Sequence, residues 1–384
     1  MRPSANQSGA IAVWMVVAMF AYGDLRVESA EPFSIVSMTL DDRALAGAHD
    51  VELSGHLAFV PGKGQSLAII DIARPERPEI LWFKNDAEIP DSETVLLDGD
   101  YLLLGTTDFL TLNIKNPRQP VILTKLSNRP RIDRINGMVK LGDYAIAANK
   151  AGFIDAFDVR DMTDPKLFGS LEMKKQFDLI SPHDICAFGD HVVIVDPRGF
   201  VPPTGKLAVF KAGEKGKILP IPQWKLVGVA EGKALIGANR VQMSGSFACV
   251  GGSFSPRSRT NAGNEKGETI RAHMTVVDLS NPARPGIVAE LPFPDERGPN
   301  GLTIAGKVVF CAGGQTVAAY DISDSRKPVT LASQSFPRYK TDAKKTDNYH
   351  DLIYRDGKLY VSAQTDNGFL ILQVNDRRVR ELAE

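Results

Sequence analysis

The feature that most constrains the fold is a unit that occurs seven times along the chain. In each copy an alternating apolar segment runs to a glycine, and a second apolar segment follows at once, as in ELSGHLAFV and LLDGDYLLL. The glycines of the seven copies are Gly55, Gly99, Gly142, Gly189, Gly245, Gly306 and Gly357. Glycine readily adopts the positive φ that a tight hairpin turn requires. The repeat therefore predicts seven β-hairpins, spaced 43 to 61 residues apart.

Two further segments complete most copies of the unit. A third segment ends in a polar residue and a proline-rich turn, as in LAIIDIARPERP (67–78), and a short fourth segment such as EILWF (79–83) follows it. Proline cannot donate to a strand ladder, so the proline pairs mark turns outside the strands. Four short strands per unit predict an all-β fold, a seven-bladed β-propeller of four-stranded antiparallel blades. The predicted blades start near residues 49, 92, 135, 182, 238, 299 and 349.

The two ends of the repeat array are incomplete in complementary ways. The segment FSIVSMTL (33–40) has the pattern of a fourth strand but precedes the first copy, whereas the last copy has little room for a fourth strand after Asp376. We expect residues 33–40 to pair into the last blade and close the ring, which leaves no exposed sheet edge between blades. Residues 31–384 are then predicted to form one propeller domain.

The N-terminus has the features of an export signal. Arg2 precedes an apolar run from Ala10 to Tyr22, which at thirteen residues is too short to span a bilayer but suits a secretory signal. We predict a signal peptide and short linker over residues 1–30, export to the periplasm or the outside of the cell, and no membrane span after cleavage. An uncleaved membrane anchor is the alternative.

The repeated units resemble the LVIVD repeat family of bacterial β-propellers. The segments that carry the resemblance are HDVELSGHLAFV (49–60), IIDIARPERP (69–78), VVDLSNPARP (276–285) and AYDISDSRKP (319–328). The resemblance extends over residues 33–376, with departures at Asn113 and Gln373, where the family has Asp, and throughout the fourth copy. It implies the propeller fold and no particular reaction, because the family is defined by its repeat.

A polar residue stands at the entry of every predicted innermost strand, six positions before the turn glycine. In the last copy this count reaches Asp351, and a turn one residue longer makes His350 the equivalent position. The ring residues are His49, Glu93, Asn136, His183, Asn239, Asn300 and either Asp351 or His350, and the residues that follow them include Asp50, Asp184 and Arg240. Inner-strand entries of a propeller crowd one mouth of the central channel, so these side chains are predicted to bind a ligand there. The alternative is that they only cap strand ends and contact channel water.

Three long segments are predicted to lie on the same face as this ring. They are the second-to-third-strand loops of blades four and five (196–206 and 251–273) and the approach to blade seven (337–350). Long loops on a rigid scaffold commonly carry function, although solvated loops without function are an alternative. The basic residues predicted to form a positive rim are Arg198, Arg257, Arg259 and Arg271. A positive rim favours an anionic ligand or an acidic protein segment.

The composition and the motif content narrow the functional classes. The formal net charge of −1 and the lack of a basic run with interleaved aromatic residues argue against nucleic-acid binding. The sequence has no nucleophile elbow, P-loop, HExxH or dinucleotide-binding glycine motif, which argues against an enzyme. We predict a monomeric binding or scaffold protein that holds a protein segment or a small anionic ligand at the channel mouth and needs no cofactor. A purely structural envelope component is a further alternative.

One enzymatic alternative rests on a repeated His-Asp dipeptide at three ring positions. Blades seven and one are neighbours in a closed ring, so His49, Asp50, His350 and Asp351 could share a divalent metal ion. His183, in blade four, would have to reach across the channel. The alternative function is therefore a metal-dependent enzyme, hydrolytic or oxidative, at the channel mouth.

Overall fold

Seven four-stranded antiparallel sheets form the blades of a β-propeller in the computed structural model of the protein. The structure describes residues 31–127, 132–197, 204–214, 217–252, 272–295, 297–339 and 348–384. The first strand of each blade is innermost and contacts the first strands of neighbouring blades around a central channel. The predicted fold class is confirmed. The predicted signal peptide lies outside the described residues.

The first four blades follow one another along the chain. Blade one comprises β2 (Glu52–Ser54), β3 (Leu57–Gly62), β4 (Ser66–Asp71) and β5 (Glu79–Asn85). Blade two comprises β6 (Thr94–Asp98), β7 (Tyr101–Gly105), β8 (Phe109–Asn113) and β9 (Val121–Leu126). Blade three comprises β10 (Ile135–Leu141), β11 (Tyr144–Asn149), β12 (Phe153–Asp158) and β13 (Lys166–Glu172). Blade four comprises β14 (Asp184–Phe188), β15 (His191–Asp196), β16 (Gly205–Lys211) and β19 (Lys225–Gly232), with a small hairpin of β17 (Gly213–Glu214) and β18 (Lys217–Ile218) inserted before its last strand.

The remaining blades complete the ring. Blade five comprises β20 (Ala238–Ser244), β21 (Phe247–Gly252), β22 (His273–Asp278) and β23 (Gly286–Pro292). Blade six comprises β24 (Gly301–Ala305), β25 (Val308–Gly313), β26 (Thr316–Asp321) and β27 (Val329–Ser335). Blade seven comprises β28 (Tyr349–Arg355), β29 (Lys358–Ala363), β30 (Gly368–Val374) and the N-terminal strand β1 (Phe33–Leu40).

The turn glycines explain why each inner hairpin forms where it does. All seven have positive φ, between 51° and 72°, a conformation that glycine adopts without steric cost. The turn of blade seven has two residues, as in the other blades, and not the additional residue predicted for it. Asp356 takes the first turn position with φ of 51°, and Gly357 takes the second. The position equivalent to the other ring residues is therefore His350.

The N-terminal strand closes the ring as the sequence predicts. Strand β1 pairs antiparallel with β30, from Phe33 opposite Val374 to Leu40 opposite Gly368, with one bulge between Ile35 and Ser37. The side chain of Phe33 is fully buried against blade seven and blade six. The first and last strands of the propeller thus share one sheet.

Apolar side chains pack between neighbouring blades and hold the strand entries in place. Phe109 of blade two stacks on Phe157 of blade three with ring centroids 3.9 Å apart. Phe310 of blade six stacks on Tyr354 of blade seven at 5.0 Å. Each fully buried aromatic or aliphatic side chain stabilises the fold by about 1.5–3 kcal/mol, so the blade interfaces form a rigid frame around the channel.

Helices are minor elements of the described chain. The helix α1 (Met173–Phe177) follows blade three, and α2 (Arg377–Ala383) follows the last strand. The Asp376 carboxylate accepts a hydrogen bond from Val379 N at 3.0 Å and caps α2. Across the described residues, none of the helices has the length and apolar character needed to cross a membrane.

Candidate functional site

The polar residues at the inner-strand entries form one layer at the channel mouth, which we call the entry ring. Six of the seven are buried, and His183 is half-buried. In blades three, five and seven the ring residue lies at a β-bulge, where the register of the inner hairpin shifts. A bulge redirects side chains, so a ring residue and its successor can both face the channel. The structure therefore brings together the six positions that the repeat count predicts in blades one to six, and in blade seven it adds His350, one residue before the counted position Asp351.

Two histidines of the entry ring link neighbouring blades. The Nδ1 atom of His49 donates to the carbonyl oxygen of Glu93 in blade two at 2.7 Å. The Nδ1 atom of His350 donates to the carbonyl oxygen of His49 at 3.0 Å, across the junction where the ring closes. Because carbonyl oxygens only accept, both imidazoles carry their proton on Nδ1 when neutral. The centroids of the two rings lie 3.6 Å apart, and the ring planes are tilted by 32°.

Three asparagines make equivalent links. Asn136 Nδ2 donates to the carbonyl oxygen of His183 at 3.1 Å, and Asn300 Nδ2 donates to that of Tyr349 at 3.4 Å. Asn239 Nδ2 donates to Asn300 Oδ1 at 3.4 Å. The entry ring is thus also a belt of hydrogen bonds between blades. Part of its polar character is structural, as the alternative interpretation of the sequence proposes.

The ring histidines are uncharged at neutral pH. Burial lowers the pKa of His49, His183 and His350 well below the ordinary value, and nearby cations such as Lys63 and Arg240 lower it further. Their Nε2 atoms are therefore hydrogen-bond acceptors. The Nε2 atom of His49 is buried and has no hydrogen-bond partner.

Arg240 forms the layer below the entry ring and bridges the channel. Its guanidinium, on blade five, donates to Asn136 O in blade three at 3.1 Å. It also lies 3.8 Å from Asp50 Oδ1 in blade one and 3.9 Å from Asp351 Oδ1 in blade seven. Burial by itself would lower the pKa of Arg240, but Asp351, Asp50 and a third carboxylate, Asp184, raise it above its ordinary value. Arg240 therefore stays charged.

The carboxylates of this layer also fix the backbone of the next blade. Asp50 Oδ2 accepts from Val95 N of blade two at 3.0 Å. Asp184 Oδ2 accepts from Val241 N of blade five at 2.8 Å. Hydrogen bonds from backbone N–H groups to a carboxylate are stronger than those between neutral groups. The aspartates of the His-Asp pairs thus join blades one and two, and four and five.

Glycine is required beside two of these aspartates. A Cβ atom on Gly301 of blade six would lie 2.5 Å from the Cα atom of Asp351 and 2.9 Å from His350 O. A Cβ atom on Gly137 of blade three would lie 2.9 Å from the Cα atom of Asp184. Both glycines directly follow a ring asparagine, so the backbones of neighbouring blades approach closely at this layer.

We expect Gly301→Ala to destabilise the protein by about 1–3 kcal/mol, because the added methyl group forces two blade backbones apart. The measurement is the free energy of unfolding from chemical denaturation. Gly286→Ala is the matched control, since a Cβ atom at that strand position meets nothing within 4 Å. Equal stability of the two variants would show that the blades separate there without cost.

A cluster around the ring residue Glu93 lies at the mouth, and the two lysines in it were not predicted from the sequence. Lys150 Nζ donates to Glu93 Oε2 at 2.5 Å, and Lys63 Nζ lies 3.8 Å from Glu93 Oε1. Lys63 is in the β3–β4 turn of blade one and Lys150 in the β11–β12 turn of blade three, so both reach Glu93 from its neighbouring blades. The sequence pattern that would have predicted these two residues is a lysine in the turn between the second and third strands of a blade, because that turn faces the ring.

A cavity of about 240 Å³ lies on the channel side of Arg240. Its polar lining includes Asp50, Glu52, Asp184 and Gln242. Burial, together with Asp50, raises the pKa of Glu52 to about 7. Carboxyl groups therefore line the channel beyond Arg240, whereas the mouth carries lysines, and the arginine lies between the two regions.

The remaining predicted site residues are the rim arginines and the members of the predicted metal site. The rim arginines at positions 198, 257, 259 and 271 lie outside the described residues. The imidazole rings of His49 and His350 contact each other, whereas Asp50 and Asp351 both lie beside Arg240, so the histidines and the aspartates of the two pairs face different partners. Among the residues that the structure describes, no group of three or more His, Cys, Asp and Glu side chains is arranged to hold a metal ion. The metal-dependent alternative stays a prediction.

The fold and the site together define a seven-bladed β-propeller with a buried polar ring at one channel mouth. The sequence model of the LVIVD repeat matches residues 47–81 and 271–291, which confirms the predicted resemblance in these two stretches. No curated protein matches the sequence.

Solved structures with the same fold are distant in sequence. The Pan2 WD40 domain of Neurospora crassa superposes with a TM-score of 0.62 at 9% identity, over 90% of this chain and 96% of that chain. The β-propeller domain of Cps50 (Swd1) from Myceliophteria thermophila gives a TM-score of 0.61 at 10% identity, over 90% of this chain and all of that chain. At this identity the similarity shows the fold alone.

Proposed function

We propose that this protein is an exported β-propeller that holds a small anionic ligand, or an acidic segment of another protein, at the mouth of its central channel. The observation that carries the proposal is a set of buried polar atoms without hydrogen-bond partners: His49 Nε2, Asn136 Oδ1, and Arg240 Nε and Nη2. Leaving such a group unsatisfied costs about 1–3 kcal/mol. The three residues belong to blades one, three and five, which surround the channel.

The charges at the mouth favour an anion. Lys63 and Lys150 share the single carboxylate of Glu93. The 3.8 Å separation of Lys63 from Glu93 is too long for a hydrogen bond, and 34% of the Lys63 side chain is exposed. This ammonium group can therefore pair with an incoming carboxylate.

The unsatisfied atoms add a second requirement on the ligand. His49 Nε2 and Asn136 Oδ1 are acceptors, so the ligand should offer an O–H or N–H group beside its carboxylate. Oxamate has this combination, an amide N–H next to a carboxylate, and is a suitable probe. Tetraglutamate is the corresponding probe for an acidic protein segment.

Export is the part of the proposal that rests on the N-terminal sequence. The apolar run from Ala10 to Tyr22 is typical of a secretory signal. N-terminal sequencing of the protein purified from the cell envelope should begin between residues 24 and 31. A chain that starts at Met1 in that fraction would contradict cleavage.

We expect Lys63→Met to weaken oxamate binding about tenfold or more, because a charge-assisted contact worth about 1.5–3 kcal/mol is lost. Isothermal titration calorimetry at low ionic strength measures the effect. Lys115→Met is the matched control, since Lys115 is an exposed lysine in the turn after β8, away from the mouth.

The outcomes separate the alternatives. Oxamate binding that depends on Lys63 supports a small-ligand site, and tetraglutamate binding that depends on Lys63 supports a protein-segment site. An equal loss in the Lys115 variant would show nonspecific attraction. Failure of the unaltered protein to bind either probe would overturn the proposal.

A further inference from the structure

The ammonium group of Lys150 is held inside the channel mouth, unlike that of the partly exposed Lys63. Its side chain is only 10% exposed, and its Nζ atom lies 2.5 Å from a Glu93 carboxylate that is itself almost fully buried. We infer that Lys150 is a nucleophilic amine that forms a Schiff base with a 2-oxo acid bound at the channel mouth. The inference rests on the proposed function, because the same site must first take the anion.

The backbone around Lys150 is fixed, so the amine is positioned before a ligand arrives. Lys150 N donates to Arg134 O at 3.2 Å, and Ala151 N donates to Asn149 Oδ1 at 2.9 Å. The side chain then crosses from blade three to Glu93 of blade two. A reacting group held in one geometry needs less ordering in the reaction.

Glu93 is placed to act as the proton acceptor. Its Oε2 atom contacts Lys150 and its Oε1 atom faces Lys63, so one carboxylate serves both amines. Lys63 can pair with the carboxylate of a 2-oxo acid while the carbonyl carbon lies toward Lys150. An amine that is desolvated and adjacent to another cation is a recognised form of activated lysine.

Burial lowers the pKa of Lys150 to about 8, and the nearby cations Lys63 and Arg134 also lower it. Glu93 has the opposite effect and raises the pKa of Lys150. The other titratable or charged groups that interact with Lys150 are Asp91, His49, His183 and His350. About one tenth of the Lys150 side chains are then uncharged at pH 7, compared with well under one in a thousand for an ordinary lysine.

The covalent step balances without any other reactant. The neutral amine of Lys150 adds to the carbonyl carbon, which forms a C–N bond and a carbinolamine. The carbinolamine loses its hydroxyl group and the remaining amine proton as water, which leaves a C=N bond. Glu93 can take and return the protons that move between nitrogen and oxygen. No electrons are transferred, because imine formation is a condensation.

The test is reductive trapping of the unaltered protein with pyruvate and sodium cyanoborohydride, followed by peptide mapping. The expected product is one adduct at Lys150, whose mass increase equals that of pyruvic acid less one oxygen atom. At pH 7 its rate should exceed that at Lys115 by about tenfold or more, and the rate should level off near pH 8 rather than above pH 10. Lys150→Arg keeps the positive charge and should abolish this adduct.

Failure of the inference is distinguishable from failure of the proposed function. If oxamate binds to the unaltered protein but pyruvate labels Lys150 no faster than Lys115, the Schiff base is overturned and the anion site stands. If none of oxamate, tetraglutamate and pyruvate binds at the mouth, both the proposed function and the inference are overturned. Adduct formation at Lys63 in place of Lys150 would also overturn the assignment of the nucleophile.

Discussion

A chain that begins at residue 41 is expected to lose cooperative folding, because it lacks the strand that closes the ring. Without β1, strand β30 becomes the unpaired outer edge of blade seven, and the pocket filled by Phe33 is opened. Exposed apolar edges promote association, so we expect aggregation as well as reduced stability. Circular dichroism during thermal unfolding and size-exclusion chromatography measure the two effects, with a chain that begins at residue 31 as the reference.

Two substitutions within β1 test how much of the stability comes from its buried side chains. Phe33→Ala removes a fully buried ring and should cost about 3–5 kcal/mol in the free energy of unfolding. Ile35→Ala lies on the same strand, but 37% of that side chain is exposed, so its cost should be much smaller. Should the chain that begins at residue 41 unfold as the reference chain does, the closing role of β1 would be wrong.

Arg240→Met is expected to reduce the free energy of unfolding by about 3–5 kcal/mol at pH 7, because it leaves buried carboxylates without their shared cation. Burial raises the pKa of Asp351 well above its ordinary value and also raises that of Asp184, and Arg240 opposes both shifts. Removing Arg240 should raise these pKa values further.

The sign of the pH dependence follows from those shifts. A carboxyl group whose pKa is higher in the folded state than in the unfolded state lowers the free energy of unfolding as the pH rises through the folded-state pKa. Below the unfolded-state pKa the group is protonated in both states and has no such effect. The deficit of Arg240→Met relative to the unaltered protein should therefore shrink between pH 7 and pH 5. Chemical denaturation at both pH values measures it, and a deficit that grows on acidification would contradict the assignment.

An exposed arginine provides the matched control for this substitution. Arg326 is paired with Asp278, but 57% of its side chain is exposed. Surface ion pairs are typically worth 0–1 kcal/mol, so Arg326→Met should change stability by no more than about 1 kcal/mol. If Arg326→Met and Arg240→Met cost the same, burial of the channel arginine would not be the reason for its effect.

Much of the architecture could be predicted from the repeat. The turn glycines mark hairpins because glycine tolerates positive φ, and this local preference does not depend on the rest of the fold. The pairing of residues 33–40 with the last blade was predictable for a different reason. The last copy of the repeat lacks a fourth strand, and a segment with the pattern of a fourth strand precedes the first copy.

The chemistry of the site was only partly predictable. The count back from the turn glycines located the entry ring in blades one to six, because similar hairpins place equivalent residues at the same level of the channel. In blade seven the glycine is the second turn residue, so the count reached Asp351 and not His350. The count could not show that Asn136 and His350 each use one side-chain nitrogen for a hydrogen bond to the next blade. Nor could it show that Arg240 crosses the channel, since the reach of a side chain depends on what the other blades leave open.

The sequence by itself determined the blades, their number, the closing strand and the layer in which polar residues meet. These follow from local rules of turn formation and strand alternation, repeated seven times. Only the tertiary structure decided which side chains are partnered and which are not. The cluster of Glu93 with Lys63 and Lys150 joins three blades through turns far apart in the chain, and its charges depend on burial, which no single repeat encodes.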